Sequence, residues 1–306
     1  MHWQTTRFRI DLSRPRVMGI VNVTPDSFSD GGHHATTDTA LAHCERLLAE
    51  GADLLDIGGE STRPGSTAPE AAEELARVLP VIEGALRLGV PVSVDTSEPV
   101  VMRAALSLGV DIVNDVRALR RPGALACVAE HPAAGVCLMH MRGDPATMQA
   151  QAVYADVVDE VARFLEQRAA EVVAAGVAAE RIVLDPGVGF AKTPEHNLAL
   201  LRRQRELVLR LSRPLLVGWS RKGTLGLLTG RPASERMAAS VAAALAAVCQ
   251  GAAVLRVHDV AATVDALKVW QAAMGDGVTT FAHKGPLEGC SRDATDQKIG
   301  TRRKQQ

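Results

Sequence analysis

Eight short apolar runs punctuate the chain, and most of them close on a polar residue. They are Val17–Asn22, Asp53–Ile57, Val90–Asp95, Val110–Asp115, Gly135–His140, the run from Arg181 to Asp185, Pro214–Gly218 and Ala253–His258. None of the longer runs alternates polar with apolar, which suits strands covered on both faces, as in a parallel sheet. Between the runs lie segments with apolar residues at helical spacing: 37–50, 69–88, 99–108, 122–130, 153–175, 194–211, 234–250 and 260–274. Gly51, Gly89, Gly109, Gly176 and Gly251 follow five of these segments and read as helix stops.

Parallel strands require crossover helices, and eight strand–helix units close into a barrel. The pattern therefore predicts an α/β fold, a single (β/α)8 TIM barrel over residues 17–274. Residues 1–16 read as a short N-terminal lead-in. Residues 275–306 carry scattered charge and glycine without apolar periodicity, and they predict a disordered C-terminal tail. At 306 residues and 47% hydrophobic, the chain is long enough for one large core, since such a barrel needs about 250 residues.

Charge and composition exclude several classes. A net charge of -1 gives no reason to expect nucleic acid or an anionic membrane as partner. Aromatic residues at 3% argue against stacking platforms for single strands. No apolar run approaches the roughly 18 residues of a membrane span, and the first residues lack the apolar core of a signal segment. The five cysteines show no close pairing, which suits a reduced, cytoplasmic protein.

In a closed barrel the site lies where the strands end. This sequence puts Asn22, Asp56, Asp95, Asn114, Asp115, Met139, His140, Asp185, Lys222, Arg256 and His258 there. Asp and Asn dominate strands three, four and six, whereas basic groups dominate seven and eight. The basic groups occupy the usual phosphate position of such barrels, with Arg221 and Arg63 as further candidates. Carboxylates accept paired N–H bonds from a guanidine-like edge, and an amide offers both a donor and an acceptor. The residues alone thus indicate a nitrogen-rich ring bearing a phosphate-type group. Asp56 has two readings: a site residue, or an acceptor for the backbone amides of the Gly-rich loop behind it. Asp115 and Asn114 are neighbours on a strand, so both cannot point inward. His140 reads as a hydrogen-bonded rim residue.

Five motifs in order then carry a resemblance. They are Gly19–Gly32 (GIVNVTPDSFSDGG), Asp56–Gly65 (DIGGESTRPG), Leu184–Phe190 (LDPGVGF), Ser220–Lys222 and Arg256–His258. Together they resemble the dihydropteroate synthase family of pterin-binding enzymes, over nearly the whole barrel. The resemblance implies that para-aminobenzoate displaces diphosphate from 6-hydroxymethyl-7,8-dihydropterin diphosphate to give 7,8-dihydropteroate, in folate synthesis. It implies Asp95, Asn114, Met139, Asp185, Lys222 and Arg256 around the pterin, with Arg256 stacking on the ring. It implies Asn22, Thr62, Arg63, Arg256 and His258 around the diphosphate, and Asn22 as the protein ligand of Mg²⁺. It implies a para-aminobenzoate pocket of Thr24, Phe28, Pro64, Phe190, Ser220, Lys222 and Gly223, covered by the loops at Thr24–Gly32 and Glu60–Gly65. A homodimer is a further implication, with the Ala-rich segment 234–250 as a candidate interface.

One departure stands out. Family members often carry Ser after Ser-Arg-Lys, where its hydroxyl helps cap the para-aminobenzoate carboxylate; this chain has Gly223. The change predicts weaker para-aminobenzoate anchoring, and it leaves the response to sulfonamides, which mimic para-aminobenzoate, open. Two other readings share the barrel: a pterin-dependent methyltransferase domain, which needs no diphosphate site, and a non-catalytic pterin-binding barrel. The Ser-Arg-Lys and Arg-Val-His motifs speak against the first, and the completeness of the strand-end set speaks against the second. A metal hydrolase is disfavoured because no His-x-His follows the first strand.

Overall fold

The computed structural model describes residues 1–23, 33–60, 69–144 and 146–274. Ten strands and ten α-helices are formed among them, in the order β1 (His2–Gln4), β2 (Arg9–Asp11), β3 (Arg16–Asn22), α1 (His33–Ala49), β4 (Leu54–Gly58), α2 (Ala71–Ala85), β5 (Val92–Asp95), α3 (Pro99–Leu108), β6 (Ile112–Asp115), α4 (Ala124–Ala129), β7 (Gly135–Met139), α5 (Val157–Ala174), β8 (Ile182–Asp185), α6 (Pro194–Arg202), α7 (Gln204–Leu211), β9 (Leu216–Val217), α8 (Gly223–Thr229), α9 (Met237–Cys249), β10 (Val254–Val257) and α10 (Val260–Met274). Strands β3 to β10 form one eight-stranded parallel sheet in the order β8-β7-β6-β5-β4-β3-β10-β9. The sheet curls until its ends meet: Leu184 N–H donates to Pro214 O at 3.0 Å, and Leu184 bridges to Leu215. The predicted (β/α)8 barrel is thus present. The β8–β9 seam is its thinnest join, because β9 is only two residues long.

The alternation of strand side chains divides the core in two. Outward residues such as Val21, Ile57, Val94, Val113, Leu138 and Leu184 pack under the helices in the main cluster. Inward residues Met18, Leu54, Ile112, Cys137, Val183, Leu216 and Val254 form a second cluster inside the barrel. Trp3, Ile10 and Leu12 join that inner cluster from below. The lead-in is therefore more than a tether: β1 and β2 pair antiparallel and plug the amino end of the barrel. Trp3 is fully buried and donates its indole N–H to Arg181 O at 2.9 Å. Arg7 secures the hairpin by a fork to the buried Asp111 carboxylate. Two three-residue strands joined by four residues carry too little periodicity to be seen in the sequence.

The helices differ from expectation in several places. The segment expected as one helix from 194 to 211 is two, broken at Arg203, whose φ/ψ of −108°/15° is not helical. The break re-aims α7 so that Leu207 and Leu211 bury, while Gln204 reaches across to Ala247 O at 2.9 Å. Helix α8 was unforeseen, since two glycines and two threonines in seven residues weaken its propensity. Arg236 mounts it, donating to the carbonyls of Arg221 and Lys222 at 3.1 and 3.4 Å. The helix expected from 153 begins at Val157, where Asp156 caps the amides of Val158 and Asp159.

Candidate active site at the carboxyl face

Above the inner apolar cluster the inward positions turn polar. Strand register sets their level: Asn22 lies opposite Gly58, Gly58 opposite Asp95, and Asp95 opposite Asn114. Met139 lies opposite Asp185. Gly58 keeps the row open, because a Cβ there would sit 3.3 Å from Asp95 Cβ. Asp95, Asn114, Met139 and Asp185 are all buried, at 9, 5, 4 and 7% exposure. The sequence-predicted pterin residues on β5 to β8 therefore meet at one mouth.

Asp56 lies one layer below and is fully buried. Among the described residues its carboxylate accepts no backbone amide of the loop behind it. Oδ2 instead accepts Arg256 Nε–H at 2.6 Å and Asn114 Nδ2–H at 3.1 Å. The second bond fixes the amide of Asn114, so that its oxygen is left as an acceptor for the mouth. Arg256 also donates Nη2–H to Asp95 Oδ2 at 2.6 Å. The expected separation of acids from cations is thus incomplete: the guanidinium crosses from β10 to the acidic side. Burial works against the charge of Arg256, but Asp56 and Asp95 outweigh it and raise its pKa further. Burial raises the Asp95 carboxyl above the usual range; Arg256 opposes this, and Asp56 and Glu60 reinforce it. Asp185 is likewise raised by burial, against the Gly187 N–H that its Oδ1 accepts at 2.7 Å and against Lys222.

Lys222 caps the start of α8 and holds its ammonium 4.3 Å from the centre of the Phe190 ring. Burial, then Arg256, brings it down to about 8. Phe190 in turn packs with Met139, Met141, Met148 and Val116 in a small apolar wall at the mouth. Gly223 is the first helical residue of α8 and is exposed, with no atom within 4 Å of where a Cβ would be.

Asn22 and His258 border one cavity of about 380 Å³ beside α1. Ser220 Oγ accepts the backbone N–H of His258 at 3.1 Å and lies 3.0 Å from its Nδ1. With the hydroxyl donating to Nδ1, Nε2–H is left as the outward donor. Burial, then Arg256, holds the imidazole down at about 3, so it is neutral near pH 7. Ser220, expected in the para-aminobenzoate pocket, spends its hydroxyl on His258. Arg221, a phosphate candidate, is bound instead to Asp259 through Nε and Nη2, at 3.1 and 2.5 Å. Its φ of 58° is unusual for a side-chain-bearing residue and turns the chain into α8.

Asp115 points outward, as its parity requires. It accepts the amides of Arg117 and Leu119 at 2.8 and 2.6 Å and bonds Ser97, which makes it a turn-builder. His140 is buried at the rim with Nδ1 facing Lys192 Nζ at 2.9 Å. Neither the role of Asp56 nor the position of Lys192 had a sequence signal, since both depend on partners far along the chain. Thr24, Phe28, Thr62, Arg63 and Pro64 lie outside the described residues, as does the expected tail 275–306. Among the described residues no group of three His, Cys, Asp or Glu side chains is arranged to hold a metal.

Comparisons with known proteins agree with this geometry. The profile of the pterin binding enzyme family matches residues 18–258. Dihydropteroate synthase from Neisseria meningitidis serogroup B is 56% identical over 275 residues, covering 88% of this chain and 96% of that protein. The structure of Xanthomonas albilineans dihydropteroate synthase with 4-aminobenzoic acid superposes with a TM-score of 0.84 at 52% identity, covering 90% of this chain and 99% of that one. The Burkholderia cenocepacia enzyme complexed with 7,8-dihydropteroate gives a TM-score of 0.82 at 51% identity, covering 89% and 96%. With its family profile spanning β3 to β10 and the polar strand ends gathered at one mouth, the chain belongs to the dihydropteroate synthases of the pterin-binding enzyme family.

Proposed function

We propose that the enzyme joins 6-hydroxymethyl-7,8-dihydropterin diphosphate to para-aminobenzoate, releasing diphosphate and 7,8-dihydropteroate. One observation carries the reading: two acids, an amide and two cations converge, buried or half-buried, above an apolar barrel floor. Asp185 and the Asn114 amide oxygen take the guanidine-like edge of the pterin. Asp95 trades its bond to Arg256 for a ring N–H. Arg256, still tied to Asp56, then lies flat against the heterocycle, opposite Met139. Lys222 faces the oxo side and, with Phe190, borders the para-aminobenzoate.

No nucleophile or strong base is needed for this chemistry. The reacting CH₂ is attached to an electron-rich dihydropterin, which carries positive charge as the C–O bond to diphosphate breaks. Asp95 and Asp185 stabilise that charge, and Nε2–H of the neutral His258 donates to the leaving anion. The uncharged aromatic amine then forms the new C–N bond and loses its proton to solvent. Asn22 suits Mg²⁺ only as a shared ligand. Its side-chain amide makes no hydrogen bond among the described residues, and Mg²⁺ is commonly held by one or two protein oxygens plus substrate phosphates. Bound there by Asn22 Oδ1 and diphosphate oxygens, the ion would supply charge neutralisation at the leaving group.

A cytoplasmic location is part of the same proposal; among the described residues no helix is long and apolar enough to cross a membrane. A homodimer through outer helices such as α9 belongs to the same proposal. The test is diphosphate release measured with and without para-aminobenzoate and Mg²⁺, on wild type and Asp185→Asn. Release that depends on all components is expected. The variant should lose turnover about ten- to hundredfold, because a charge-assisted bond becomes a neutral one at a buried site. Turnover within twofold of wild type in the variant would remove Asp185 from the mechanism.

A further inference from the structure

Lys192 is a buried cation that the chemistry above does not use. It is 3% exposed and lies in the loop that leads from Asp185 to α6. Its Nζ donates to Gly187 O at 2.9 Å, Phe190 O at 3.0 Å and His140 Nδ1 at 2.9 Å, with His140 O further off at 3.4 Å. An ammonium has three N–H donors, and here three close acceptors surround it. Burial pulls the group down to about 7, with Lys222 and Arg142 acting in the same direction and Asp185 opposing them. His140 can serve as an acceptor because burial, then Lys192, holds it down at about 2, so that it is neutral.

The two carbonyls that Lys192 grips belong to Gly187, which bonds Asp185, and to Phe190 itself. Gly187 gives its N–H to Asp185 Oδ1 at 2.7 Å. Gly187 also has φ +69°, and a Cβ there would overlap His140 O at 2.0 Å, so the turn is pressed against the end of β7. Phe190 carries the ring beneath the Lys222 ammonium. A shift of this loop moves the partner of Asp185 and the cushion of Lys222 together.

We propose that Lys192 is a positioning residue: its three bonds lock the 187–190 turn so that Asp185 and Phe190 are set for ligand before ligand arrives. The inference rests on the pterin and aminobenzoate reading given above. A loop ordered in advance does not lose freedom on binding, and a released one does.

The experiment is calorimetric binding of 7,8-dihydropteroate to full-length wild type, Lys192→Met and Tyr154→Phe, each well below its own unfolding midpoint. Tyr154 donates its hydroxyl to Ala191 O at 2.9 Å, so its loss removes a bond from the same loop outside the 187–190 turn. Lys192→Met should bind about tenfold or more weakly, and Tyr154→Phe within about twofold of wild type. A purely structural lysine would lower the midpoint and leave affinity in the folded protein unchanged. Equal affinity in Lys192→Met and wild type therefore overturns the proposal, whatever the midpoint. Should Lys192→Met fail to fold, Lys192→Gln carries the same readout: it keeps two N–H donors, and weaker binding than wild type supports the role while equal binding overturns it. A wild type that does not bind dihydropteroate would instead sink the functional reading itself.

Discussion

Gly223→Ser tests the start of α8, where the resemblance implies a serine. The structure says the change is sterically free: nothing lies within 4 Å of the added Cβ, and the position is exposed at the first turn of α8. Its φ is not among the positive values, so an L side chain introduces no backbone strain. Replacing glycine at a compatible helical position should therefore stabilise the fold by about 0.4–1 kcal/mol through the unfolded chain. The functional effect is larger. A hydroxyl bonded to a carboxylate contributes about 1.5–3 kcal/mol, and ordering the small side chain offsets part of that. A net gain of about 1–2 kcal/mol lowers the para-aminobenzoate KM about five- to thirtyfold. The assay is diphosphate release at saturating pterin diphosphate and varied para-aminobenzoate, repeated with a sulfonamide as competitor. Sulfonamide affinity should also change, by less, because its sulfonyl group is not a carboxylate. Unchanged affinity for both ligands would refute the idea that residue 223 faces the carboxylate.

Two further tests address the scaffold. His140 titrates in the ordinary range when unfolded but only near 2 when folded, so the unfolded chain takes up a proton that the native state refuses. Stability should thus fall as pH drops below about 6.5, and His140→Asn should flatten the slope at pH 5 by about 1.4 kcal/mol per pH unit in urea unfolding; an unchanged slope would contradict a buried neutral His140. Trp3→Ala should cost about 3–5 kcal/mol by opening a cavity beneath the barrel floor and orphaning Arg181 O. Its KM values should stay at wild-type levels at low temperature, and a selective change in KM would show that the plug reaches the mouth.

Much of the fold and part of the site were legible in the chain itself. Apolar runs and helical periodicity are local signals, and eight of each in alternation admit few architectures other than the barrel. A polar residue closing such a run must emerge at the carboxyl face, so Asp95, Asn114 and Asp185 were identifiable from position alone. Tertiary structure decided whatever depends on two distant residues meeting. Arg256 reaches 200 positions back to Asp56, and Lys192 finds its acceptor 52 positions away in His140. Ser220 meets His258 38 positions on, and the first twelve residues form a plug only where Trp3, Ile10 and Leu12 meet the apolar interior of the barrel. Hydrophobic periodicity reports which face a residue occupies, since burial acts along the local backbone. Hydrogen bonds and ion pairs are directional and short, and their partners exist only once the sheet has closed.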